Sequence, residues 1–440
     1  MLRRALSTSP TLSSAISTNN LLFRDYIQRS LYDPVGGYFT RGQSPVLGHE
    51  TKINLCELQS RAAYEKAVAA TYASASHGWM TPVELFSPFL SRAVAHRIHA
   101  VNRDESKVNI IEIGGGRGTL AADILAHWSE VAPDFLRRVR YNLIEVSPAL
   151  AKVQSENLRH WVNLGTAKVH NVDARIWFQS LSSDAQQSEE MRSTPCHVVA
   201  MEVLDNLPHD LLRLGAGSVE QAVAILSENP PSDSTAIMLE WRSELDETTS
   251  AAVKAFDLLR SDENDHFISQ QRDPSFLSRA RVSFENMLTG GKRDLWVPTA
   301  SYQLLKAISS SLSHAGMTIS DFNSFPGALP GENAPVVQRV QQGSTVVYES
   351  VTAAPFGKVD IMFPTNFHAL QRCHNSFAGN GVSENSYLYR ILSQEKFFEE
   401  HSSEASINAT TCKDGYNPVL QDFENASFLL VDKTSKVSAG

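Results

Sequence analysis

An apolar run, a glycine turn and a helix opening follow one another at Asn109-Ile110-Ile111-Glu112-Ile113-Gly114-Gly115-Gly116-Arg117-Gly118-Thr119. Ile110, Ile111 and Ile113 read as a buried parallel strand, and Leu120 to Leu125 as the helix after it. The glycines therefore fall at the carboxyl end of a strand, where open α/β sheets bind ligands. Glycine suits that place because the chain turns sharply there and a ligand must touch bare backbone. A dinucleotide fingerprint puts Gly or Ala three residues after Gly116, but that position is Thr119. With Glu112 two residues ahead of the G-x-G-x-G loop of Gly114, Gly116 and Gly118, the segment fits S-adenosylmethionine better than a nucleotide. The bland alternative is an ordinary strand-to-helix turn.

Methyl donation needs the ribose, adenine and methionine ends of that cofactor held separately, so neighbouring strand ends should each supply a polar contact. Tyr141 to Val146 is a short apolar run carrying Glu145, one strand-helix-strand unit beyond Glu112. Glu145 can accept both ribose hydroxyls, as an acid does in dinucleotide folds. After a helix over Pro148 to Leu158, the run Ala167 to Asp173 ends in a carboxylate placed to accept from the adenine amino group. Taken singly, Glu145 serves equally well as a helix cap and Asp173 as the start of a turn; their order and spacing favour the cofactor.

A fourth strand, His197 to Met201, leads into Glu202-Val203-Leu204-Asp205-Asn206-Leu207-Pro208-His209. In this class of sheet that strand end faces the transferable methyl group. If the loop makes one helical turn, Glu202 and Asp205 face the same way. Paired acids suit a guanidinium, which is planar, permanently charged and matched by carboxylate. Helix capping and turn solvation are the alternative. His209 is expected at the surface.

Glu112-Ile113-Gly114-Gly115-Gly116-Arg117-Gly118 and Glu202-Val203-Leu204-Asp205-Asn206-Leu207-Pro208 resemble the glycine motif and acidic loop of the MidA-like family of SAM-dependent methyltransferases. Leu31 to Phe39 is similar to that family's amino-terminal turn, and Gly331 to Val337 to its late Asn-Ala-Pro motif. Trp296-Val297-Pro298-Thr299 and Lys413 to Pro418 look like a branch found in plants and protists. Two departures stand out: Met201 precedes Glu202 where the family usually has Asn, and Trp79 to Pro88 replaces a Gly-Asp-Phe-x-Thr-Ser-Pro segment. The resemblance implies a Rossmann-like α/β fold with a seven-stranded, mostly parallel sheet. It further implies symmetric dimethylation of an arginine on a complex I subunit in the mitochondrial matrix. A non-catalytic scaffold that binds the cofactor, and a small-molecule methyltransferase, are the competing readings.

The chain has 440 residues and no Gly/Ser- or Pro-rich linker, so it reads as one enlarged domain. The expected organisation is a transit peptide over 1–20, a helical segment over 21–107, an α/β cofactor core over 108–240, a helical insertion over 241–290, the remainder of the sheet over 291–370 and an extension over 371–440. The last of these is expected to be helical and then irregular. Residues 175–194 read as a polar surface excursion. A net charge of −9 argues against nucleic acid as a partner. Cys56, Cys196, Cys373 and Cys412 are scattered without metal-ligand spacing, so reduced thiols and no metal are expected. Arginines, hydroxyl residues and no acid before Asp25 suggest mitochondrial targeting, with plastid targeting or plain disorder as alternatives. No apolar run reaches the length of a membrane span, and the sequence leaves the oligomeric state open.

Overall fold

A computed structural model describes residues 20–41, 46–48, 52–74, 78–183, 189, 191, 193–215, 218–226, 237–259, 292–312, 315–325, 335–341, 344–378 and 387–434. The strands are β1 (Asn20–Leu22), β2 (Val108–Ile113), β3 (Val139–Glu145), β4 (Ala167–Asn171), β5 (Cys196–Met201), β6 (Asp210–Gly215), β7 (Ser218–Leu226) and β8 (Ile237–Arg242), followed by β9 (Arg293–Val297), β10 (Gly316–Phe322), β11 (Val336–Gln341), β12 (Ser344–Tyr348), β13 (Asp360–Met362), β14 (Tyr387–Ser393) and β15 (Ala426–Lys433). Residues 1–19 of the expected targeting segment, most of the expected helical insertion and the start of the Asn-Ala-Pro motif lie outside the described residues.

The central sheet has the order β14-β15-β10-β5-β2-β3-β4. Its strands β10, β5, β2, β3 and β4 are parallel, and β15 runs antiparallel to both β10 and β14. The chain thus has an α/β methyltransferase-like fold around a mostly parallel seven-stranded sheet. Every residue of β2 is buried because the sheet is covered on both faces. Ile110, Leu143 and Val199 join one core cluster, whereas Ile111, Ile144 and Val198 join the cluster on the other side. Each fully buried aliphatic side chain contributes about 1.5–3 kcal/mol, and alternate burial fixes the register.

The first cluster takes in the Phe89–Asn102 and Thr119–Val131 helices, with Leu90, Val94 and Ile98 buried. The second takes in helices Ala174–Ser183, Thr299–Ser311 and Phe367–Ala378. Residues 174–183 are therefore not a surface excursion, since Trp177, Phe178 and Leu181 of that helix lie in the core.

Three other expectations are corrected. Trp296 does not return to the central sheet; β9 is an edge of a second, antiparallel sheet with β1, β6, β7 and β8. Residues 237–242 form a strand, and only Glu247–Phe256 is a described helix of the expected insertion. The carboxyl-terminal segment is not irregular, because β14 and β15 complete the central sheet. A third cluster packs the Phe23–Tyr32 helix against the second sheet and against β13 of the three-stranded sheet β12-β11-β13. No helix among the described residues is long and apolar enough to cross a membrane.

Candidate active site

The glycine turn leaves β2 with Gly114, Gly116 and Gly118 at φ of +65°, +52° and +82°, values that disfavour any side chain. A Cβ on Gly114 would lie 2.9 Å from Val203 Cγ2, and one on Gly115 2.7 Å from Glu112 Oε1. The turn is thus a cradle that a side chain would fill. It forms one wall of a cavity at the carboxyl ends of β2, β3, β4 and β5.

Glu112, Glu145 and Asp173 all line this cavity. Glu112 accepts from Tyr141 Oη at 2.6 Å, and burial pushes its carboxyl up to about 7. Glu145 accepts from the Ser147 backbone N–H at 2.8 Å and from Gln154 Nε2 at 3.0 Å; burial again raises it to about 7. Glu145 lines the hollow, and its oxygens keep lone pairs beyond those two bonds. Burial opposes ionisation of Asp173, but the Arg175 guanidinium at 2.6 Å and the Arg175 N–H at 2.8 Å outweigh it and hold the acid below its usual range. Asp173 thus reaches the cavity already partnered, a pairing that strand-end reasoning did not anticipate.

The acidic loop differs from expectation. Glu202 lines the cavity with φ +54°, a left-handed conformation rare outside glycine. That residue breaks the helical turn which would have aligned it with Asp205. Asp205 does not line the cavity; it is 3% exposed, and its Oδ1 has no hydrogen-bond partner. The expected carboxylate pair on one face is therefore not formed. Burial lifts both acids well above the carboxylate range; Asp321 and then Glu84 add to Glu202, while Asp321, Asp360 and then Glu202 add to Asp205. Asp321 builds the loop, its Oδ2 accepting from the backbone N–H of Leu204 at 2.7 Å and of Asp205 at 3.1 Å. Nothing in local sequence pattern singled it out. His209 is also corrected: it is buried, stacked on Phe363 at 3.8 Å, and its imidazole is pushed down to about 3 by burial.

The residues fit a sulfonium nucleoside. Glu84, Glu112, Glu145 and Glu202 line the cavity, and the one cation lining it among the described residues, Arg175, also bonds Gln28 and Gln303. Gln154, which bonds Glu145 from behind the cavity wall, has its Oε1 buried without a partner. Among the described residues no group of His, Cys, Asp and Glu could hold a metal.

Residues 89–382 match the model of a family of S-adenosyl-L-methionine-dependent methyltransferases. The fold is similar to that of a Burkholderia thailandensis protein solved bound to S-adenosyl-homocysteine, with a TM-score of 0.56 and 13% identity over 94% of this chain and 88% of that one. A native crystal structure of an uncharacterized protein from the same organism gives 0.54 and 13%, over 94% and 87%. No curated protein matches the sequence.

Proposed function

The chain belongs to this family of S-adenosyl-L-methionine-dependent methyltransferases, and from that premise we propose that it methylates a guanidinium nitrogen of a protein arginine. The carrying observation is the acidic lining of the site: among the described residues four glutamates line the cavity, and the single cation lining it is already paired with Asp173. The substrate that the sequence resemblance implies is a subunit of respiratory complex I in the mitochondrial matrix, with symmetric dimethylation.

Bound in the cradle, S-adenosylmethionine supplies a methyl group already activated on a sulfonium sulfur. Gly114, Gly116 and Gly118 hold its amino-acid end with bare backbone, with Glu112 beside them; Glu145 takes the ribose hydroxyls and Asp173 the adenine amino group. Burial, with Asp321 and Glu84 nearby, favours the protonated form of Glu202, and a guanidinium beside it favours the ionised one. The resulting charge-assisted bond contributes about 1.5–3 kcal/mol. Guanidinium has a pKa above 12, so its proton leaves during or after attack and no strong base is required. Most of the work is alignment with water excluded, worth up to about 7–11 kcal/mol.

The test incubates the purified protein with methyl-labelled S-adenosylmethionine and mitochondrial extract, then hydrolyses the product. Labelled methylarginine in a complex I subunit is the expected result. Label only in other amino acids or small molecules overturns the reading, and cofactor binding with no transfer leaves a scaffold in its place.

A further inference from the structure

Asn206 stands in the acidic loop and lines the cavity. Its Nδ2 lies 2.7 Å from Asp360 Oδ1 and 3.1 Å from the Ile361 carbonyl oxygen. The Ile361 carbonyl can only accept, so chemistry fixes which end of the amide carries the hydrogens. Neither Asp360 nor Ile361 lines the cavity. The amide nitrogen is therefore taken up by partners outside the cavity, and Oδ1, an acceptor only, is the end of the amide left for a ligand there. The backbone is held as firmly: Tyr32 Oη donates to the Asn206 carbonyl at 3.1 Å, and the Phe363 N–H donates to Asp205 O at 2.8 Å. Asp360 is 1% exposed and comes from β13, outside the central sheet. A separate sheet thus reaches across to lock one side chain of the site.

We propose that Asn206 is the substrate-orienting acceptor of the transfer and that Asp360 is the positioning residue that fixes it. The inference rests on the guanidinium reading above. Glu202 supplies attraction for any cation, whereas a neutral acceptor locked at one angle takes one N–H of a planar group and so sets the plane of the guanidinium. A site built to accept a particular N–H also rejects nucleophiles that lack it.

Two measurements on the full chain test this: S-adenosylhomocysteine affinity by calorimetry, and the initial rate of labelled methylarginine formation in mitochondrial extract. Asn206→Leu keeps the affinity within about threefold and lowers the rate by about 100-fold. Asn206→Asp sets a carboxylate against Asp360 and loses rate similarly. Combining it with Asp360→Asn exchanges donor and acceptor, re-forms the lock and recovers at least about tenfold. A structural role alone would instead move the melting temperature and the cofactor affinity. Asn206→Leu running within about threefold of wild type overturns the assignment and leaves the proposed activity standing; a wild-type protein that makes no methylarginine overturns both. If Asn206→Leu fails to bind S-adenosylhomocysteine, the exchange pair decides, with recovery supporting the lock and its absence refuting it.

Discussion

Gln154 joins Glu145 to the glycine turn, its Nε2 lying 3.0 Å from Glu145 Oε2 and 2.8 Å from the Gly116 carbonyl oxygen. One fully buried amide thereby sets the distance between the ribose acceptor and the cradle for the amino-acid end. Gln154→Leu keeps the volume but removes both bonds, and is expected to weaken S-adenosylmethionine binding by about fivefold, in line with about 1 kcal/mol for a hydrogen bond. Calorimetry checks this, and unchanged affinity would show that the bridge does not shape the site.

Glu202 and Asp205 should separate on substitution. Glu202→Gln is expected to retain cofactor binding and lower transfer by about 100-fold. Asp205 is buried among Asp321 and Asp360 with one oxygen unpartnered. Asp205→Asn supplies a donor where acids crowd, so the variant should gain about 1 kcal/mol of stability and lose less than tenfold in rate. Equal inactivation of the two variants would restore Asp205 to the reacting centre.

Strands buried on both faces were legible because they are continuously apolar, as Ile110-Ile111, Leu143-Ile144 and Val198-Val199 are. The glycine turn and the carboxylates at successive strand ends follow from the same spacing. Strand β10 was not legible, because Thr318, Ser320 and Asp321 are polar residues buried for long-range reasons. Thr318 Oγ1 lies 2.9 Å from His197 Nε2, and Asp321 holds a loop more than a hundred residues away. Pairings of β14 with β15 and of His209 with Phe363 likewise depend on partners that no local window contains. The orientation of Asp205 escaped because the three-residue helical rule presupposes a helix, and the positive φ of Glu202 removes it.

Arg24 ties the amino-terminal helix to the second sheet. Its guanidinium donates to Asp210 at 2.6 Å, to Asp246 at 2.8 Å and to Thr249 at 3.0 Å, with Asp210 fully buried. Arg24→Ala would leave two carboxylates facing each other without a cation, a loss of about 3–5 kcal/mol when one partner of a buried pair is removed. Chemical denaturation should register it. Arg24→Ala together with Asp210→Asn should recover part of that loss; a single variant as stable as wild type would mean the network adds nothing.

Burial holds Glu112, Glu145, Asp321 and Asp360 each protonated up to about 7, whereas in the unfolded chain they ionise near about 4. The folded state therefore holds extra protons between those values, and the stability they contribute is present at low pH and lost as pH rises through about 7. Histidines act in the opposite sense. His127, His170, His374 and His401 are pushed down to about 4, and His197 and His209 to about 3, all by burial. Their contribution is present above the unfolded value of about 6.5 and lost as pH falls toward the folded ones. Above about 6.5 only the carboxylate trend remains, so the melting temperature of the cofactor-free protein should fall between about pH 6.5 and 8. Affinity for S-adenosylmethionine should rise over the same interval, because ribose hydroxyls and a sulfonium both favour ionised acids around them. Thermal melts and calorimetry across that interval provide the check: a flat melting curve would contradict the raised acids, and an affinity that drops with rising pH would contradict the assignment of Glu112 and Glu145 to the cofactor wall.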